Sequence, residues 1–219
     1  MVAEISAKIV KELRDKTSAG MMDCKKALQE ANGDFEKAEE ALKKKGLIIA
    51  AKKSGRIATE GIVEAYIHMG GRLGILVEIN CETDFVARRS EFQELAKNIA
   101  MQIAACPQVQ YINAADIPPE TAEREKKIEI EKDDLGNKPI EIKEKIVEGR
   151  IQKKLKEMVL VDQTFIRDSS MTIEDLIKKN IATLGENIQI RRFERFILGE
   201  GLEKKNENFS DEVEKMMKK

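Results

Sequence analysis

The chain has 219 residues, enough for one large domain or two small ones with real cores. Apolar residues make up 42% and charged residues 36%, with no Trp and two Tyr, a mixture that suits a helix-rich protein with a charged surface. The 39 basic and 40 acidic side chains leave a net charge of −1, without the basic excess that marks most nucleic-acid binders.

Residues 1–55 read as a compact three-helix unit. Ile5, Ile9, Val10 and Leu13 share one helical face, and Thr17-Ser18-Ala19-Gly20 breaks it. Cys24, Ala27, Leu28 and Ala31 follow at i, i+3, i+4 and i+7. Asn32-Gly33-Asp34 is a turn whose Asp caps a third helix burying Phe35, Ala38, Ala41 and Leu42, with Lys43-Lys44-Lys45-Gly46 as its end. A charged connector over 47–59 leads into a core over 56–207.

That core opens with a hairpin over 61–82. Val63, Ala65 and Ile67 alternate on its first strand, Met69-Gly70-Gly71-Arg72 makes the turn, and Leu73, Ile75, Val77, Ile79 and Cys81 alternate strictly on the second. Thr83-Asp84-Phe85-Val86-Ala87 follows directly, and Ser90-Glu91-Phe92-Gln93 has the form of a capping box. A Phe between a strand end and a helix start either folds back on the core or is presented to a partner. The next helix buries Phe92, Leu95, Ala96, Ile99 and Ile103 and stops at Pro107, and Pro119 is placed as the first residue of another.

Residues 120–158 are dominated by Glu and Lys and interrupted at Gly136-Asn137-Lys138-Pro139, which reads as two antiparallel helices with Val147, Ile151 and Leu155 on one face of the second. A solvated hairpin and a projecting arm for self-association fit this composition equally. Thr172-Ile173-Glu174-Asp175 caps a helix with Leu176, Ile177 and Ile181 inward. Residues 187–198 make a third strand, with a bulge near Arg191-Arg192 because Ile190 and Phe193 have opposite parity. Ser210 caps a terminal helical module over 208–219. The sum is an α+β fold: a helical domain, then a three-stranded antiparallel sheet with helices on one face.

A search for catalytic chemistry finds little. There is no phosphate loop with its Lys, no dinucleotide fingerprint, no Cys-x-x-Cys and no His-Glu-x-x-His, so neither a cofactor nor a metal site is expected. The one histidine, His68, has no nearby Cys or Ser nucleophile in sequence. Cys24, Cys81 and Cys106 each lie in an apolar pattern, as reduced core thiols do. No apolar run approaches the ~20 residues of a bilayer span, and Met1-Val2-Ala3-Glu4 lacks the apolar stretch of a signal peptide. Two adjacent residues, Met21 and Met22, cannot both face the core of a small bundle, and an exposed Met suits an adaptable protein contact, with Arg14 and Lys25 at its rim. The residues alone thus reach an interaction protein.

Several blocks go further. Val10-Lys11-Glu12-Leu13-Arg14, Gly20-Met21-Met22-Asp23-Cys24-Lys25-Lys26-Ala27-Leu28, Glu82-Thr83-Asp84-Phe85-Val86-Ala87, Val147-Glu148-Gly149-Arg150 and Gly199-Glu200-Gly201 resemble the translation elongation factor Ts family, and the likeness spans essentially the whole chain. The resemblance implies a guanine nucleotide exchange factor for the GTPase elongation factor Tu. In that family the N-terminal helices, similar in fold to ubiquitin-associated domains, dock on the GTPase domain, and Arg14, Met21, Met22 and Lys25 match the contact positions. Asp84, Phe85 and Val86 match the segment that presses beside the Mg²⁺ site, displaces the ion and loosens the phosphate loop. The 208–219 module matches one that touches the GTPase domain.

The chain departs from longer members, which carry two related sheet halves, whereas this one has a single hairpin plus one strand. A partner contact near His68 and a homodimer that restores the missing half are the expectations that follow. The resemblance implies no bound nucleotide, nucleic acid or membrane, and a location in a bacterial-type cytoplasm, or in the plastid stroma for a plastid-encoded copy. Two other classes fit less well: a ubiquitin-associated-like scaffold and a ribosome-associated RNA-binding accessory protein.

Overall fold

A computed structural model describes residues 5–17, 19–130 and 140–202. Three helices come first, α1 (Ala7–Thr17), α2 (Met21–Glu30) and α3 (Phe35–Lys53). Val10, Leu13, Cys24, Ala27, Leu28, Ala38 and Leu42 close a small core of their own. Asp34 caps α3 by accepting from the Lys37 amide at 3.1 Å. Two expectations fail here. Ala41 is exposed, and α3 runs straight through Gly46 to Lys53. Gly46 lies where α3 crosses a later helix: a Cβ there would lie 3.4 Å from the Cβ of Ala182. Ala50, one turn on, is already buried in the main core.

The main core is built on a sheet of β1 (Glu60–Ile67), β2 (Leu73–Cys81) and β5 (Ile188–Ile197), in the order β1-β2-β5 and antiparallel throughout. Helices α5 (Ser90–Ala105) and α8 (Ile173–Leu184) cover its inner face, and the one-turn α4 (Asp84–Ala87) closes one end. Ile75, Val77, Ile79 and Cys81 face inward, as their alternation predicts. Opposite residues of an antiparallel pair share a face, so Ile62, Glu64 and Tyr66, paired with Ile79, Val77 and Ile75, are the inward set of β1. The alternating Val63, Ala65 and Ile67 therefore lie on the outer face, where Val63 and Ile67 are exposed beside Leu76 and Phe196.

The bulge is present. Glu78 pairs with Arg192 and Ile79 with Ile190, leaving Arg191 as the extra residue. It restores Phe193 to the inner face and lets two consecutive arginines reach one carboxylate: Arg191 Nη1 lies 2.9 Å and Arg192 Nε 2.7 Å from Glu78. Further along β5, Arg195 reaches inward and donates to the carbonyls of Ile103, Cys106 and Pro107, closing the C-terminal end of α5.

The charged arm is α6 (Pro119–Ile130) against α7 (Ile140–Glu157). Val147 and Ile151 are buried on α7, while α6 turns Thr121, Glu125 and Glu129 inward, so Lys154 meets Glu125 at 2.7 Å. A small hairpin of β3 (Thr164–Phe165) and β4 (Asp168–Thr172), not legible beforehand, leads into α8. There Thr172 and Asp175 form the expected capping box. The expected box at Ser90 does not form: Arg89 occupies the cap position, and the Ser90 hydroxyl bonds the Glu91 carboxylate at 3.2 Å. The Gly136-Asn137-Lys138-Pro139 turn and the 208–219 module lie outside the described residues. Among the described residues no helix is long and apolar enough to cross a membrane.

Candidate partner-binding site

Strand β2 ends at Cys81, and Thr83 starts α4 by accepting the Val86 amide on its hydroxyl. Successive residues of a helix point about 100° apart, so a four-residue turn anchored by two of them must point a third away. Val86 and Ala87 are the anchors, buried in the main core, and Phe85 is 77% exposed. Val86, expected beside Asp84 and Phe85 at a partner contact, is 7% exposed and packs into the core directly behind Phe85. Leaving a Phe in water forgoes about 1.5–3 kcal/mol of burial. Asp84 stands beside it, ion-paired with Arg88 at 2.9 Å.

The mount is tied down from far along the chain. Glu186, on the turn between α8 and β5, accepts from the Glu82 amide at 3.1 Å, the Thr83 amide at 3.0 Å and the Thr83 hydroxyl at 2.7 Å. Glu82 answers by accepting the Asn187 amide at 2.7 Å, and that bond holds its carboxyl below the usual range. The Cys81 thiol donates to the Thr83 carbonyl at 3.1 Å, and burial pushes its pKa up to about 11.

Met21 and Met22 open α2 and are both exposed, at 43% and 75%; Arg14 and Lys25 are exposed on α1 and α2. His68 sits at the opposite end of the sheet from Phe85, its ring Nδ1 3.0 Å from the Tyr66 hydroxyl. The length of β2 separates the two ends by roughly 26 Å at 3.3 Å per residue. Asp84, Phe85 and Val86 are therefore one unit, the α1–α2 surface a second, and His68 a third. A cleft of about 390 Å³ lies between the helical domain and the α8 side of the core, lined by charges of both signs including Lys43, Lys179, Glu39 and Asp168. Among the described residues no group of three His, Cys, Asp or Glu side chains is placed to hold a metal ion.

The family model described as Elongation factor TS matches residues 2–200. The chain belongs to the elongation factor Ts family. Elongation factor Ts, chloroplastic, of Rhodomonas salina is 75% identical over 219 residues, all of both chains. The protein of the same name from Guillardia theta is 74% identical over the same span. Elongation factor Ts of Picosynechococcus is 65% identical over 216 residues, 99% of each chain. An elongation factor Ts is an elongation factor of protein biosynthesis, and the α+β architecture agrees with that family. Within it, the Thr83-Asp84-Phe85-Val86 block is a capped helical turn braced by Glu186, a residue that sequence reasoning missed. Its only local signal is its place just after Gly185, the left-handed cap of α8.

Proposed function

We propose that the chain is the guanine nucleotide exchange factor of elongation factor Tu, binding its GDP-bound and nucleotide-free forms and promoting GDP release during translation elongation. The exposed ring of Phe85 on a buried, hydrogen-bonded mount carries this reading. Pressed beside the Mg²⁺ site of the GTPase, with Asp84 next to it, the ring occupies space that the ion and a well-held phosphate need. The α1–α2 surface of Arg14, Met21, Met22 and Lys25 supplies the docking contact, and His68 a separate one. Exchange makes no covalent bond, so the factor is not an enzyme in the usual sense and needs neither cofactor nor nucleotide of its own. Coupling is reciprocal: GDP weakens factor binding by the same ratio as the factor weakens GDP binding.

Release of a fluorescent GDP from elongation factor Tu, followed with and without the chain, tests the proposal. Stimulated release supports it; unchanged release favours a ubiquitin-associated-like scaffold. Binding to RNA with a steep salt slope points instead to an accessory protein of the ribosome. The outer sheet face, with Val63, Ile67, Leu76 and Phe196 in water, supports a second copy of the chain as its cover. Sedimentation as a monomer at micromolar concentration would remove that part. The chloroplastic names of two relatives support the plastid stroma as the location over a bacterial cytoplasm.

A further inference from the structure

Three distant segments meet at the turn between α8 and β5. Glu186 takes three hydrogen bonds from residues 82 and 83, as described above. Asn187, 1% exposed, faces the other way and donates through Nδ2 to the carbonyls of Arg56 at 2.7 Å and Ser54 at 3.3 Å. Lys53, the last residue of α3, donates to the Gly185 carbonyl, and Arg56 reaches Glu82 at 3.4 Å. One turn therefore grips both the mount of Phe85 and the end of the helix that carries the docking domain.

From this geometry we infer that Glu186 and Asn187 form a positioning joint, with Glu186 aiming Phe85 and Asn187 fixing α3 relative to it. The inference rests on the exchange reading above and adds to it the residues that set the wedge. The chemistry favours a carboxylate at 186. Two amides and a hydroxyl converge there, all donating, and a carboxylate has two oxygens that only accept. A Gln in its place keeps the size and can still accept both amides on its oxygen, but it removes the charge from all three bonds and forces the Thr83 hydroxyl to turn from donor to acceptor of its NH₂. The Thr83 hydroxyl is the pivot: it donates to Glu186 while accepting the Val86 amide that starts the turn. Loosening the brace leaves Phe85 present and exposed but poorly aimed.

The experiment is GDP release from the GTPase at saturating factor, with the full chain in four forms: unchanged, Glu186→Gln, Phe85→Ala and the double variant. Glu186→Gln is expected to slow release about tenfold or more, while the factor concentration giving half-maximal stimulation moves less than about threefold, because the α1–α2 contact is intact. In the Phe85→Ala background the same change is expected to alter release by less than about twofold, since there is no ring left to aim. Equal slowing in both backgrounds, or no slowing by Glu186→Gln while Phe85→Ala slows release, overturns the joint and leaves the exchange reading standing. No effect of Phe85→Ala removes the ring's role and the joint with it, and no stimulation by the unchanged chain overturns the exchange reading itself. Thr83→Val removes the pivot hydroxyl while keeping the Thr83 amide bond to Glu186, and must reproduce the pattern if Glu186→Gln fails to fold.

Discussion

Thr83 and Glu186 are 103 residues apart in sequence and meet through two hydrogen bonds, hydroxyl to Oε1 at 2.7 Å and amide to Oε2 at 3.0 Å. This pair turns a strand exit into a fixed platform. Four consequences of such a platform, and of the sheet that bears it, are open to measurement.

Phe85 and its neighbour Val86 have opposite fates and opposite mutational signatures. Truncating an interface aromatic costs about 2–4 kcal/mol of binding, so Phe85→Ala is expected to slow factor-stimulated GDP release at least about tenfold. Its unfolding midpoint should barely move, within about 0.5 kcal/mol, because the ring is already in water. Val86→Ala deletes core methyls and should cost about 2 kcal/mol in urea denaturation. A stability loss at Phe85 equal to that at Val86 would contradict the assignment of faces.

Gly61 has φ +144°, a region that side chains rarely adopt, and a Cβ there would collide with the Ile79 carbonyl oxygen. Gly61 pairs with Asn80 on the strand that ends at the platform. Gly61→Ala should therefore cost about 3 kcal/mol or more and disturb Phe85 from behind. Thermal unfolding indistinguishable from that of the unchanged chain would show the strand can slide without loss.

Glu78 is gripped by Arg191 and then Arg192 across the bulge, and these bonds lower its pKa from 4.5. A carboxylate with a lowered folded pKa adds stability above its unfolded value and loses it as the pH falls through the folded one. Glu78→Gln should thus lower the denaturation midpoint at pH 7, and the gap should close as the pH drops below 4.5. A gap that stays constant down to pH 3 would mean the ion pairs contribute nothing.

Cys81 behaves in the opposite sense. Burial, then the nearby Glu186 carboxylate, raise its pKa from 9.0 to about 11. The unfolded chain ionises first, so the stability tied to the neutral thiol is full below pH 9.0 and is lost as the pH rises toward about 11. Stability measured from pH 8 to 11 should fall more steeply in the unchanged chain than in Cys81→Ala. Parallel curves would place the thiol in water.

Much of the fold was legible because it is written in local patterns. The period-two run from Leu73 to Cys81, the Thr172–Asp175 box and the parity clash between Ile190 and Phe193 each need only a few neighbouring residues to be read. The exposed pair Met21 and Met22 was half legible, since adjacency alone forbids burying both. The failures at Ser90 and Gly46 share one cause: a local signal was overruled by a neighbour. Arg89 holds the cap position directly after Arg88 ends α4, and α3 continues through Gly46 where it packs beside Ala182.

By itself, then, the sequence determined the element types, their order, the α+β class and the segment that bears Phe85, since hydrophobic period and capping chemistry are short-range properties. Tertiary structure alone decided the direction of each surface. Alternation on β1 has apolar residues on both parities, and only pairing with Ile75, Val77 and Ile79 sends Val63 and Ile67 outward. A Phe beside a Val could be buried either way round, and the core's acceptance of Val86 and Ala87 turned Phe85 to the solvent. The brace from Glu186 spans more than a hundred residues of chain, a distance over which no local pattern carries information.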